Sequence, residues 1–359
     1  MESREGLVRR VSRRRTFGSE DAGAAAWSCC FRGADGWIYL HGDRKCSPDG
    51  SEVLAHTGPS LAPITRRPEG ATLVRDGLVY AAAGHPRYLS PGRYAASAWR
   101  SHDGLATLEE ETVELHVPEG ARPAQDHTWH GVYFSSSRGI LTLADGTWLT
   151  AMTASFEEDT LAPTDRQSAL ETKYRNRSIV VSSTDEGRTW RYRSTIAAPV
   201  AGDPVGEGFG EPTIERLADG RILCVLRTGH FSPLHACWSS DDAGTWSPPV
   251  YTGFDRGCCP KLTRLADGRI LLNYGVRWPP GSRLDQSGPR WQEHSLLKLA
   301  VSGDGGGDWD AWQVATLPPG LGSTYATIIE VEPSLLFCQV DGWYLHVHLE
   351  AADGAEPHS

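Results

Sequence analysis

One short pattern recurs along this chain and limits what it can fold into. LTLADGTWLTAM (141–152), ERLADGRILCVL (215–226) and TRLADGRILLNY (263–274) superimpose without gaps. LVRDGLVYAA (73–82) and FRGADGWIYLHG (31–42) are weaker copies. Each reads as strand, Asp-Gly turn, strand, because Asp-Gly between apolar runs is a strong hairpin signal. Self-similarity of this kind marks a fold built from one repeated unit.

A second pattern follows the hairpins. SSTDEGRTW supplies Ser183, Asp185, Gly187, Thr189 and Trp190. WSSDDAGTW supplies Ser240, Asp242, Gly244, Thr245 and Trp246, one residue shorter. VSGDGGGDW supplies Ser302, Asp304, Gly306 and Trp309, with Asp308 in place of Thr. WRSHDGLATL supplies Ser101, Asp103 and Thr107, with Leu105 and Leu108 replacing Gly and Trp. A carboxylate and a hydroxyl at this spacing bond nearby backbone N–H groups and hold a turn. Gly accepts a positive φ, and Trp packs between sheets. Four copies at four places read as turn staples, not as four catalytic aspartates.

Each full unit is therefore strand, Asp-Gly turn, strand, loop, strand, box turn, strand, which is one four-stranded blade. Units begin near 60, 131, 211, 259 and 323. WSCCFRGADGWIYLHG has no box of its own; sharing a sixth blade with the C-terminal strands would close a ring and remove exposed edges. The expected fold is all-β, a six-bladed β-propeller of four-stranded antiparallel blades. Residues 1–26 read as a flexible N-terminal extension, 27–350 as one propeller domain and 351–359 as a tail.

Composition narrows the partners. The net charge of −10 argues against nucleic acid or an anionic membrane. No apolar run reaches the ~18 residues of a membrane span, and the basic N-terminus lacks the apolar core of a secretory signal. The eight cysteines read as reduced thiols in so long a chain, and the location as cytoplasmic. Arginine outnumbers lysine 31 to 4, and arginine is the better residue for planar carboxylate recognition.

Repeated S-x-D-x-G-x-T-W boxes on a β-rich chain resemble the sialidase superfamily of BNR or Asp-box proteins, over residues 30–350. The resemblance implies a six-bladed propeller, a glycoside hydrolase activity, an arginine triad for a substrate carboxylate, a Tyr nucleophile assisted by a Glu, and an acid/base Asp. GEPTIERLADGRILCVLR carries Glu211 and, 16 residues on, Arg227, which look like the family's Glu and second triad Arg. GLGSTYATIIEV places Tyr325 where the nucleophile lies. TRRPEGATLVRDG resembles the family's R-x-P element, with Arg66 as its Arg. Two roles lack a match. The segment between Gly77 and His102 contains no Asp or Glu, so His85 or Asp126 is the candidate proton donor. The third Arg is assigned to Arg277, at the end of its strand.

The same rim is rich in imidazole. QDHTWHG supplies Asp126, His127 and His130, and RTGHFSPLH supplies His230 and His235. These side chains suit the lining of a polar pocket. They also suit a metal, although their spacing matches no metal signature. No cofactor is assigned. The partner is a small-molecule or glycan substrate, taken as a small acidic glycoside. Two alternatives stand beside it: a tailoring enzyme of another class that uses the His-rich rim, and a non-catalytic carbohydrate-binding propeller.

Overall fold

The structure is a computed structural model that describes residues 8–15, 30–40, 43–65, 70–123, 131–134, 138–160, 174–201, 205–229, 232–276, 296–316, 325–340 and 343–349. It is all-β: among the described residues helix is confined to Ala62–Thr65. No helix there is long and apolar enough to cross a membrane.

Among the described residues the strands form six antiparallel meanders of four main strands each. The first has Phe31–Arg32, Ile38–Leu40, Arg44–Cys46 and Val53–Ala55. The second has Gly70–Arg75, Leu78–Ala83, Arg93–Ser101 and Glu109–His116. In the third the first strand is broken into Tyr133–Phe134 and Leu141–Thr142, followed by Trp148–Ala154, Arg177–Ser183 and Thr189–Ala197. The second and third share one eleven-stranded sheet that also takes in Arg87–Ser90 and Arg138–Gly139: their last strands pair in parallel at Glu114↔Thr189, and Arg138–Gly139 pairs in parallel with Gly70–Arg75. The fourth has Gly210–Arg216, Ile222–Arg227, His235–Ser239 and Val250–Tyr251, and the fifth Cys258–Arg264, Ile270–Val276, Leu296–Ser302 and Asp310–Thr316.

The sixth meander departs from expectation. Ala326–Glu332, Leu335–Val340 and Trp343–Leu349 are completed by Val8–Arg15, which pairs antiparallel with Trp343–Leu349. A strand therefore lies inside the segment read as an extension, ahead of the boundary at 27. The 30–55 segment forms its own sheet and does not share that of the C-terminal strands. The physical reason is the same in both cases: three C-terminal strands leave an open edge, and the N-terminal strand covers it.

Packing runs round the molecule and returns to its start. Tyr39 of the first meander packs with Val79 of the second, and Tyr80 of the second with Trp190 of the third. Leu149 packs with Ile214, Leu223 with Leu272, and Leu299 with Ile328. Phe337 of the sixth meander then packs with Ile38 and Leu40 of the first. Each sheet buries both faces, so neither face can be polar throughout.

The boxes hold the turns between third and fourth strands. Ser183 Oγ donates to Asp185 Oδ1 at 2.7 Å and accepts the Gly187 N–H at 2.8 Å, while Asp185 Oδ1 accepts the Thr189 N–H at 2.8 Å. Ser101–Asp103 and Ser302–Asp304 repeat this set. The remaining box is corrected in register. Its residues are Ser239 and Asp241, not Ser240 and Asp242: Ser239 Oγ accepts the Ala243 N–H at 2.9 Å, and Asp241 Oδ1 accepts the Thr245 N–H at 2.9 Å. The box is full length, and Ala243 takes the Gly position at φ 65°. Trp190 is fully buried and donates to the Tyr80 hydroxyl, which in turn donates to the Gly187 carbonyl.

These bonds favour the ionised carboxylates. The Thr107 and Thr245 amides hold Asp103 and Asp241 below the usual range, Asp241 at about 2, and the Ser302 hydroxyl lowers Asp304. At Asp185 burial acts the other way, and the bonds from Ser183 and Thr189 outweigh it. Depressed folded-state values add stability above the unfolded value of about 3.9, and this is lost as pH falls through the folded values. The thermal midpoint is therefore expected to stay level down to about pH 5 and to fall between about pH 4 and pH 2. Ser239→Ala, which strands the buried Ala243 N–H, is expected to cost about 1–3 kcal/mol in urea unfolding, and the exposed Ser240→Ala under about 0.5. Equal losses would return the box to the shorter register.

Candidate active site

Gly210 pairs with Arg227, so Glu211 and Arg227 stand at one end of their meander. The Asp219-Gly220 turn and the box after Ser239 lie at the other, because Ile222 pairs with both Arg216 and Ser239. The ladder slips between Gly210 and Thr213, and Glu211 sits in this bulge at φ 42°, ahead of Pro212. Left-handed backbone is strained for a residue with a side chain, and bulges re-aim the side chains they carry. Here the strain is held by a buried bond, from the Glu211 N–H to Thr153 Oγ1 at 3.0 Å.

The same bulge recurs one meander on. Cys259 precedes Pro260, has φ 52°, and lies where the ladder slips between Cys258 and Lys261. This geometry turns its N–H onto Glu211 Oε2 at 2.7 Å. Tyr325, just before the first strand of the sixth meander, donates its hydroxyl to Glu211 Oε1 at 3.1 Å. Arg227 Nη1 donates to the same oxygen at 2.9 Å. Four consecutive meanders thus meet at Glu211, three of them at its carboxylate, with Glu211 only 4% and Tyr325 8% exposed.

Arg227 also holds a second carboxylate: its Nη2 donates to Glu207 Oε2 at 3.0 Å. Burial would lower the Arg227 pKa, but the Glu207 and Glu211 carboxylates outweigh it and hold the group well above its usual range. Cys258, Cys259 and Tyr325 form a small buried cluster against this group.

Of the residues expected at the site, the structure joins Tyr325, Glu211 and Arg227. His85 is exposed and stacks on Tyr133, with ring centroids 5.6 Å apart. His235 Nδ1 lies 3.2 Å from the Pro233 carbonyl, and its ring meets Phe209 edge-on. Arg66, Asp126, His127, His130, His230 and Arg277 lie outside the described residues. Among the described residues no group of three or more His, Cys, Asp or Glu is placed to hold a metal. The seven described cysteines are all buried. Sequence reasoning missed Glu207 and the roles of Thr153 and Cys259. For Cys259 a signal existed: laying CCPKLTRLADGRI over GEPTIERLADGRI puts Cys259 on Glu211.

The BNR repeat-like domain family matches residues 80–338. That is well over half of the chain, and the chain belongs to this family. Among solved structures it is similar to a protein of unknown function from Dyadobacter fermentans, at 19% identity and a TM-score of 0.58, covering 97% of this chain and 99% of that one. It is also similar to a Hadza microbial sialidase, at 12% identity and a TM-score of 0.57, covering 94% of this chain and 68% of that one. At these identities the likeness is one of fold. No curated protein matches the chain.

The buried charges give a direct stability test. Removing Arg227 leaves two buried carboxylates without their cation, and breaking such a pair from one side costs several kcal/mol. Arg227→Ala is expected to lose about 3–5 kcal/mol in urea unfolding. A loss under about 1 kcal/mol would show that the charges are solvated.

Proposed function

We propose that this chain is a sialidase-like glycoside hydrolase on a six-bladed propeller, with Tyr325 as nucleophile and Glu211 as its base. The observation that carries this reading is the 3.1 Å bond from the Tyr325 hydroxyl to Glu211 Oε1 in a buried pocket of charge. That distance is within the reach required of a nucleophile and its base. The ring of six packed meanders supports the blade count.

In the first step the Tyr325 oxygen bonds the anomeric carbon while its proton passes to Glu211. The glycosidic C–O bond breaks, and the leaving oxygen takes a proton from His85 or Asp126. In the second step water attacks the same carbon and gives its proton to the deprotonated His85 or Asp126, while the Tyr325 oxygen leaves and regains its proton from Glu211. A neutral phenol suits an anomeric centre that bears a carboxylate, since a carboxylate nucleophile would be repelled by it. The substrate class is accordingly a small carboxylate-bearing glycoside. Arg66, Arg227 and Arg277 are assigned to its carboxylate on the resemblance to sialidases.

The test is hydrolysis of a 4-nitrophenyl glycoside of an acidic sugar. Tyr325→Phe and Glu211→Gln are each expected to lower kcat by about 10²–10⁴-fold. Equal rates in wild type and both variants would remove the mechanism.

A further inference from the structure

Glu207 is a buried carboxylate that the proposed steps do not use. It is 5% exposed, and its backbone is fixed on both sides. Its N–H donates to the Thr228 carbonyl at 3.0 Å, and its own carbonyl accepts the Asn176 N–H at 2.8 Å. The side chain therefore starts from a rigid anchor and ends on Arg227 Nη2 at 3.0 Å. The other terminal nitrogen of that guanidinium holds Glu211 at 2.9 Å.

One guanidinium thus bonds two buried carboxylates. A pair built for stability alone needs one carboxylate for one guanidinium, because burying a second charge adds a desolvation cost. The extra charge has a consequence at Glu211. With Glu207 neutral, the whole Arg227 cation would act on Glu211 and weaken it as an acceptor for the phenol proton. With Glu207 charged, the cation is divided and Glu211 keeps its basicity. Arg227 also fixes which Glu211 oxygen faces Tyr325, since both Arg227 Nη1 and the Tyr325 hydroxyl address Oε1 while the Cys259 amide holds Oε2.

We infer that Glu207 is a positioning residue for the Glu211–Tyr325 pair: through Arg227 it orients the Glu211 carboxylate and shares the guanidinium charge that would otherwise weaken it as a base. Among the described residues, titratable groups bonded to or packed on this pair are Arg227 from the fourth meander, the Cys258 and Cys259 thiols from the fifth, Tyr325 before the sixth, and Glu207 from the preceding loop. The kinetic part of the inference rests on the proposed hydrolase reading; the electrostatic part does not.

The experiment follows the ring-carbon NMR signal of Tyr325 against pH in full-length protein with 13C-labelled tyrosine, assigned by its loss in Tyr325→Phe. Glu207→Gln keeps the size of the side chain and an acceptor for Arg227. It is expected to move the Tyr325 titration about one unit lower, and Glu207→Asp to restore most of it. With the acidic 4-nitrophenyl glycoside, the acid limb of kcat/KM is expected to move lower by a similar amount. In the same variant kcat falls about tenfold while KM stays within about twofold. An unmoved Tyr325 titration in folded Glu207→Gln overturns the inference, whatever happens to stability. If Glu207→Gln does not fold, Arg227→Lys decides. A compact ammonium does not bridge both carboxylates, so the Tyr325 titration shifts by about half a unit or more in either direction, and an unmoved one overturns the inference. If the Tyr325 titration shifts in Glu207→Gln but no acidic glycoside is hydrolysed, the inference stands and the hydrolase reading fails.

Discussion

The Glu211 carboxylate is the point at which the meanders depend on one another. It accepts bonds from Arg227 in its own meander, from the Cys259 amide in the next and from Tyr325 before the last, and its backbone donates back to Thr153. No local element determines this arrangement. Tyr325 is 114 residues away along the chain, so its place depends on how the meanders pack on one another. The sixth meander in turn uses Val8–Arg15 as its last strand. An arrangement assembled in this way is lost if that packing fails, so fold stability and site geometry are linked through the same residues.

The turns at the opposite end supply the rigidity this requires. Each box converts one serine and one aspartate into a set of local bonds that sit at a fixed distance from the sheet ends. Similar side-chain bonds run between neighbouring meanders nearer the site. Thr153 accepts the Glu211 N–H, Thr213 accepts the Leu262 N–H, and Asn273 donates to the Ala326 carbonyl. Each ties the first strand of one meander to its predecessor. Buried polar groups that are satisfied in this way fix one arrangement where apolar packing alone would tolerate several.

Much of this was legible in the sequence, because the repeat is periodic and its turn chemistry is local. The Asp-Gly hairpins and three of the four box registers follow from it, while the Glu211–Arg227–Tyr325 set came from the resemblance to the sialidase superfamily. The fourth box slipped by one residue because SSDDAG offers two serines and two aspartates, and Gly244 draws the alignment away from Ala243. A left-handed alanine has no sequence signal. Val8–Arg15 was hidden for another reason: VRRVSRRR has no alternation of apolar and polar residues, and only the open edge of the C-terminal strands calls for it. Glu207 was missed because its role is set by Arg227, a partner 20 residues on, and not by a motif.

The central claim is that Tyr325 is the residue that bonds the sugar. The most direct measurement is mass spectrometry of the intact protein and its peptides after incubation with a fluorinated acidic glycosyl fluoride, whose fluorine substituents slow release from the nucleophile. The expected result is one covalent sugar per chain, on the peptide that contains Tyr325, and none in Tyr325→Phe. An adduct on a different residue, or the same labelling in Tyr325→Phe, would contradict the claim.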